Sequence, residues 1–369
     1  MAVNNLIRRA MRPGAGAYII ELFYNSILSG PKTHIINALS NTITSTLAPV
    51  ERAAGAAVER VMAPLQGRQI ERFFSEVPAD GFGALQGVEE GVRSALWTLR
   101  KGISSTQATK WEFRPRAFGG VLGRIVNTPT TMLEAADVFY RSINYRAALG
   151  ALTVRTAKAE GRHGAELLNR IAELKVSPSV RILKEANEIA EYRLFRQEEG
   201  AITSWLMKGR EVIPPLRFVV PFLRTPVNLL KFGIERSPLG VLDPKLWRNV
   251  MGKNPVASDQ IARVVMGSGI AAFFGLYFGL GKLTGAAPKG AEERDRFYRE
   301  GKQPFAVKLG DRWVQWQRLE PLNQTLSQLV GVMEAIDAKD KGLTEKMAQA
   351  VASVGQNLVS QTYLSSVSG

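Results

Sequence analysis

Between Arg263 and Lys282 the chain runs for 18 residues, Val264 to Gly281, without a charged side chain. An apolar run of this length has two physical destinations, the interior of a helical body or the hydrocarbon of a bilayer. A bilayer core takes about 20 residues, so the run lies at the lower limit for crossing one. Its glycines, at 267, 269, 275, 279 and 281, weaken a helix in water. In a membrane they are tolerated and let helices approach closely. Gly275 and Gly279 have the spacing of a small-residue helix-packing pair. Ile270, Phe273, Phe274, Tyr277 and Phe278 are the candidates for lipid contact. The other reading, a core helix of a soluble bundle, stays open at this point.

A second apolar segment, Glu211 to Glu235, carries four prolines, at 214, 215, 221 and 226. Prolines divide it into short pieces. Arg217, Arg224 and Lys231 recur every seven residues, which on a helix places cations on one side and Phe, Val and Leu on the other. Such a piece can lie at a membrane surface with its cations at headgroup level. It can equally be a core segment whose long side chains reach solvent.

The 369 residues hold 48 Lys and Arg against 33 Asp and Glu, a net charge of +15. That excess favours phosphate-bearing partners, either nucleic acid or anionic lipid. No cysteine is present, which excludes disulfides, thiolate metal sites and cysteine nucleophiles. Only His34 and His163 could offer imidazole, too few for a histidine metal site. The N-terminus is basic, but the apolar run after it is short and Glu21 stops it, unlike a secretory signal.

Periodicity is almost entirely helical, and the expected fold is all-α, an irregular multi-helix assembly with one β-hairpin near residues 305–317. Four regions are expected. Region 1–128 is helical and carries a Ser-Gly-Pro-Lys-Thr-His turn at 29–34. It has helices over 16–29 and from Thr33 to about Thr46, and a new segment opening at Pro49. A further helix over 66–102 breaks near Pro78–Gly81. Region 129–210 is a bundle. Its longest helix runs from Thr128-Pro129 to Ala159, with Thr128 as cap and a stripe of Ala136, Phe139, Ile143, Ala147 and Gly150. Helices over 165–175 and from Ser177-Pro178 to about Gln197 follow. Region 211–286 holds the Pro-punctuated and Gly-rich apolar helices, with Asp243-Pro244 and Ser258-Asp259 as starts. Region 287–369 holds a polar linker over 287–303, the hairpin around Gly310-Asp311 and a helix from Leu319 to Ile336. Phe305, Val307, Leu309, Trp313 and Trp316 are the hairpin's candidates for packing. The small polar stretch Ser360–Gly369 lacks a closing element and reads as a cut from a longer polypeptide.

No Walker, zincin, nucleophile-elbow or dinucleotide fingerprint is present. Ser29, Gly30, Pro31, Lys32, Thr33 and His34 read as a tight turn between helices. Glu134 and Asp137 could be paired as lytic carboxylates, but they stand where helix-start acids stand. Glu320 has the same status. Arg8, Arg9, Arg12, Arg100, Lys101, Lys110, Arg114 and Arg116 are candidates for phosphate contact, with Trp111 and Phe113 interleaved as a stacking site would have them. A solvated basic loop with two tucked aromatics is the plainer reading of 110–116. No enzyme, cofactor, metal or small-molecule substrate is expected.

Four blocks resemble a known family. Tyr24 to Asn41 is similar to an N-x-x-L-S-G-P-x-T-H-x-x-N-x-x-x-N segment of large tailed-phage proteins. Thr130–Gly161, with Glu134, Asp137, Phe139, Tyr140 and Tyr145-Arg-Ala, resembles their next block. Pro221–Pro238 resembles a third, and Gly310-Asp-Arg-Trp313 followed by Leu319-Glu-Pro321 a fourth. The family is that of internal virion, or ejection, proteins and the associated domains of large polyvalent phage proteins. The resemblance implies a protein held inside the capsid and ejected with DNA into the host envelope. There it would help form a conduit for the genome. It also implies homo-oligomers and other ejection proteins as partners, with phage DNA and anionic host membrane as further candidates. A DNA-binding virion protein with no membrane step, or a non-catalytic part of a polyprotein carrying a lytic enzyme elsewhere, are the alternatives.

Overall fold

A computed structural model describes residues 13–102, 117–197, 224–288 and 290–316, with positions 326 and 330. Among these residues the chain forms eleven α-helices, one 3-10 turn and one two-stranded antiparallel hairpin. The helices are α1 (Ala15–Leu28), α2 (Pro31–Leu65), α3 (Glu76–Lys101), α4 (Gly120–Val126), α5 (Thr128–Ala159) and α6 (Gly164–Val176). They continue with α7 (Val180–Arg193), α8 (Arg224–Glu235), α9 (Pro244–Met251), α10 (Val256–Gly279) and α11 (Ala291–Arg299). The 3-10 turn is Pro238–Leu242, and the strands are β1 (Ala306–Leu309) and β2 (Arg312–Gln315). The all-α architecture with one hairpin is as expected.

Two expected breaks do not occur. α2 passes through Pro49 as one 35-residue helix. An interior proline removes one backbone bond and crowds the preceding turn. Packing on both sides of the proline outweighs that loss: Thr42 and Ser45 meet Tyr140 and Asn144 of α5, and Gly55 and Glu59 meet Asp259 and Ser258 of α10. The hydroxyls before Pro49 turn back on their own helix, Thr42 to the Ala38 carbonyl at 2.8 Å and Thr44 to that of Ser40 at 2.9 Å. This back-bonding accounts for hydroxyl-rich residues inside a helix. α3 likewise runs on through Pro78, which falls in its first turn, where the missing N–H has no intrahelical partner to lose. The stretch 66–75 before it is not helical, because Gly67, at φ 64°, closes α2 in the left-handed conformation.

α5 is central and keeps its expected bounds, Thr128–Ala159. Thr128 is not its cap: its hydroxyl donates to the Arg124 carbonyl at 2.9 Å, and Asn127 holds the cap position. α3 lies antiparallel on α5 with almost no side chain between them. A Cβ on Gly83 would stand 2.2 Å from the Arg146 carbonyl oxygen, one on Gly87 2.6 Å from Ile143 Cα, and one on Gly91 2.8 Å from the Phe139 carbonyl oxygen. From the facing helix, Gly150 meets the Ala79 carbonyl oxygen at 2.5 Å in the same way. Four-residue spacing keeps these glycines in one row, so two backbones can close along it. Leu149, Leu152, Leu174 and Ile182 form an apolar core where α6 and α7 cover the other side of α5. α7 begins at Val180, capped by Ser179, whose hydroxyl accepts from the Ile182 amide.

Asp243 caps α9 as expected, accepting from the Lys245 amide at 2.9 Å. The hairpin also stands where expected, with Leu309 paired to Arg312 and Gly310 at φ 60° in the two-residue turn. Residues 282–285 lie along β1, with the Thr284 amide bonded to the Ala306 carbonyl at 2.9 Å and that of Lys308 to Lys282 at 2.8 Å. Phe305, Val307 and Trp316 face the core, while Leu309 is exposed and Trp313 half-buried. The expected polar linker instead contains α11. This helix has Glu292 and Glu293 in its first turn and Arg296 and Arg299 in its last, charges that suit the helix dipole without any apolar stripe. The helix expected over 319–336 lies outside the described residues except at the helical positions 326 and 330. The stretch 360–369 also lies outside them.

Gly81 and Gly83 give a paired test of the glycine row. No atom stands within 4 Å of a Cβ on Gly81. Gly81→Ala should raise stability by up to about 1 kcal/mol through helix propensity. Gly83→Ala should lower it by about 1–3 kcal/mol by forcing α3 off α5. Urea midpoints of the two variants check both signs.

Candidate membrane-contact site

α10 carries no charge after Arg263, and it is not in one environment along its length. Its first turns are tied into the protein by polar bonds. Ser258 donates to Glu59 at 2.6 Å, and Arg72 Nε meets Asp259 Oδ2 at 2.8 Å. Arg263 reaches Glu235 at 3.3 Å and Glu51 at 3.6 Å, with its guanidinium 4.8 Å from the centre of the Tyr192 ring. Beyond Arg263 the helix divides lengthwise. Ala271, Phe274, Tyr277 and Phe278 pack on Leu283, Phe305, Val307, Trp316, Leu326 and Val330. Val265, Phe273, Leu276 and Leu280 form a stripe on the other side and stand in solvent, Phe273 at 53% and Leu276 at 69% exposure.

The candidate lipid-contact residues therefore separate. Phe273 is exposed, Ile270 is half-buried, and Phe274, Tyr277 and Phe278 are inward packing residues. Val265, Leu276 and Leu280 belong to the stripe and were missed. Their spacing is legible in the sequence, but choosing this side requires knowing where the hairpin docks. Within the chain, close packing on the helix falls at a different glycine. A Cβ on Gly279 would meet nothing within 4 Å, whereas one on Gly267 would stand 1.9 Å from the Arg236 carbonyl oxygen. Gly267, not Gly279, is where another segment crosses the helix. Of the flanking cations, Arg263 is held in ion pairs and Lys231 bonds Gln197 at 3.0 Å and lies 3.8 Å from Glu235. Arg263 is mostly covered, whereas the Lys231 side chain is 44% exposed and Lys282 is exposed. Arg217 lies outside the described residues, as do Arg8, Arg9, Arg12, Lys110, Trp111, Arg114 and Arg116. Arg224 opens α8, and its side chain is likewise outside them.

The anchor of α10 is part of a buried charge lattice. Arg236 is paired with Glu51, Nη2 to Oε2 at 2.8 Å, and stacks 3.2 Å from the centre of the Phe232 ring. Arg52 joins Glu76 at 2.9 Å to Asp80 at 3.1 Å; Arg155 also meets Glu76 at 2.7 Å, and Arg193 meets Asp80 at 3.1 Å. Arg68 grips Glu59, with Nη2 to Oε2 at 2.7 Å. Burial by itself raises the carboxyls of Glu51, Glu59 and Asp80, but the adjoining arginines and hydrogen bonds outweigh it and hold all three below their ordinary values. Burial also pushes the Tyr192 phenol up to about 12.

α1 and the first part of α2 meet α5 in a second polar seam. Thr130 donates to Asn25 at 2.6 Å, Tyr140 donates to the Ala38 carbonyl at 3.0 Å, and Ser45 donates to Asn144 at 3.2 Å. The motif at 29–34 is the turn that sets this up. Leu28 ends α1, Pro31 is the first residue of α2, and His34 is half-buried. Glu134 and Asp137 are not solvated helix-start acids: both face inward and are buried. Burial first, then Glu134, drives the Asp137 carboxyl up to about 6 against the pull of Arg196, 3.4 Å away. Among the described residues no group of three or more His, Asp and Glu could hold a metal ion.

Two stability predictions follow from these groups. Glu51→Gln should cost about 3–5 kcal/mol, because Arg236 and Arg263 stay buried with their shared partner weakened. Thermal unfolding at pH 7 measures it. Asp137 has a raised carboxyl, so its contribution is fully present below its ordinary value of 3.8 and is lost as pH rises through about 6. Asp137→Asn should therefore gain stability over wild type by about 2–3 kcal/mol between pH 4 and pH 7. The carboxyls of Glu51, Glu59 and Asp80 act in the opposite sense, and both proteins should lose stability as pH falls below about 4. Denaturant midpoints across that range give both slopes. No protein-family model, no curated protein and no solved structure matches the chain.

Proposed function

We propose that this chain is a structural protein of a phage virion, of the internal or ejection type. It travels with the genome from the capsid interior into the host envelope and forms part of a conduit there, with no catalytic step of its own. The exposed stripe of α10 carries the proposal. α10 is long and apolar enough to cross a membrane, and only 22% of its apolar stretch is buried. A core helix of a soluble body is mostly covered. This one leaves Val265, Phe273, Leu276 and Leu280 in water with no charge among them, a surface suited to lipid. The anchors at Ser258, Asp259 and Arg263 let the helix rest its outer side on a bilayer while its root stays in the protein. The +15 charge supports contact with anionic headgroups and with packaged DNA.

The same charge favours a second reading, a DNA-binding virion protein that meets no membrane. Flotation of the full chain with vesicles of anionic and zwitterionic phospholipid at low salt separates the two. The conduit reading expects wild type to float and Phe273→Asp/Leu276→Asp to stay in the dense fraction with its helical circular dichroism intact. Both positions are exposed, so the substitutions spare the packing made by Phe274. Wild type that remains in the dense fraction overturns the membrane step.

A further inference from the structure

α3 has two long faces, and α5 covers only one. Gly83, Gly87 and Gly91 press on α5. On the opposite side Phe82, Leu85, Val88, Val92, Leu96 and Leu99 follow one another at three- and four-residue steps and stand in solvent, Phe82 at 67% and Leu85 at 69% exposure. The row extends over most of a helix about 39 Å long. The glycine contacts fix how α3 is turned, and among the described residues none covers this row.

The charges within the row identify its occupant. Glu89 and Arg93 form an ion pair in the middle of the stripe, both about three-quarters exposed. Covering that pair with hydrocarbon would strip its water and return nothing. α10 differs here, since its exposed stripe contains no charge. A protein surface that offers an acid opposite Arg93 and a base opposite Glu89 can cover the row, and a second copy of α3 is such a surface. Set antiparallel about a two-fold axis near residue 90, Phe82 faces Leu99 of the second copy and Leu85 faces Leu96. Glu89 then comes beside Arg93 of the second copy, and the reverse contact follows by symmetry. Parallel pairing would instead oppose like charges.

We propose that the outer face of α3 is a two-fold interface between two copies of this chain, paired antiparallel through Phe82, Leu85, Val92, Leu96 and Leu99 and registered by Glu89 and Arg93. This pairing is independent of any membrane step.

Sedimentation equilibrium of the full chain in the Phe273→Asp/Leu276→Asp background, which removes association through α10, tests it. The expected result is a concentration-dependent species of twice the 40.5 kDa chain mass. Adding Leu85→Glu/Leu96→Glu should leave monomer at every concentration, with unchanged helical circular dichroism. Glu89→Arg alone should weaken the dimer at least tenfold by setting it against Arg93 of the second copy, and Glu89→Arg/Arg93→Glu should restore it. If the leucine variant loses its helical signal, the charge swap decides alone. Monomer throughout in that background overturns the proposal, as does a dimer indifferent to Glu89→Arg. Vesicle flotation of the otherwise wild-type chain that Leu85→Glu/Leu96→Glu abolishes, with no dimer formed, assigns the face to lipid and overturns it as well.

Discussion

Glu51 of α2, caught between Arg236 and Arg263, is the contact on which the rest of the arrangement depends. Through it three distant parts of the chain meet: the middle of the longest helix, the end of α8 and the root of α10. Burying such a group in isolation would cost several kcal/mol, so the arginines must stand where they do or the helices cannot close. The same logic repeats along the interior. Arg52, Glu76, Asp80, Arg155 and Arg193 lock α2, α3, α5 and α7 to one another in a chain of shared partners. The positional specificity of the fold lies in these pairs, because its apolar side chains leave so many helix faces uncovered.

Glycine solves the complementary problem. Where ion pairs fix which helices meet, the row at Gly83, Gly87 and Gly91 fixes how closely, bringing backbone against backbone along α3 and α5. Gly267 does the same where Arg236 crosses α10, so the segment that supplies a key arginine can pass beneath an apolar helix. These contacts also orient the helices rigidly. The outward row of α3 and the outward stripe of α10 are consequences of what the inner faces require. One carries a central ion pair; the other carries no charge.

Helix positions were largely legible. Pro31 and Pro129 in first turns, Asp243 as a cap and Gly310 in the hairpin turn are local chemistry, and local chemistry can be read residue by residue. The expected breaks at Pro49 and Pro78 failed for tertiary reasons: packing on both sides carries α2 through its proline, and the start of α3 absorbs the other. α11 escaped notice because a helix stabilised only by its end charges has no apolar period. Among the candidate contacts, Phe273 was readable as exposed only in the sense that it belongs to an apolar run. That Phe274 turns inward and Leu276 outward depends on where the hairpin docks.

By itself the sequence determined the helical class, the single hairpin, the absence of thiol chemistry and an uncharged run at the lower limit of a bilayer's thickness. Those follow from period, turn residues and composition, which act over a few neighbours at a time. Tertiary structure alone decided what the charges do. Arg263, which in the sequence flanks an apolar segment as a cation for headgroups, is paired instead with Glu51 and Glu235. Glu134 and Asp137, acids near a helix start, face inward. The reason is physical: whether a charge is solvated or paired depends on the dielectric around it and on partners from distant parts of the chain, and only the folded arrangement brings those together.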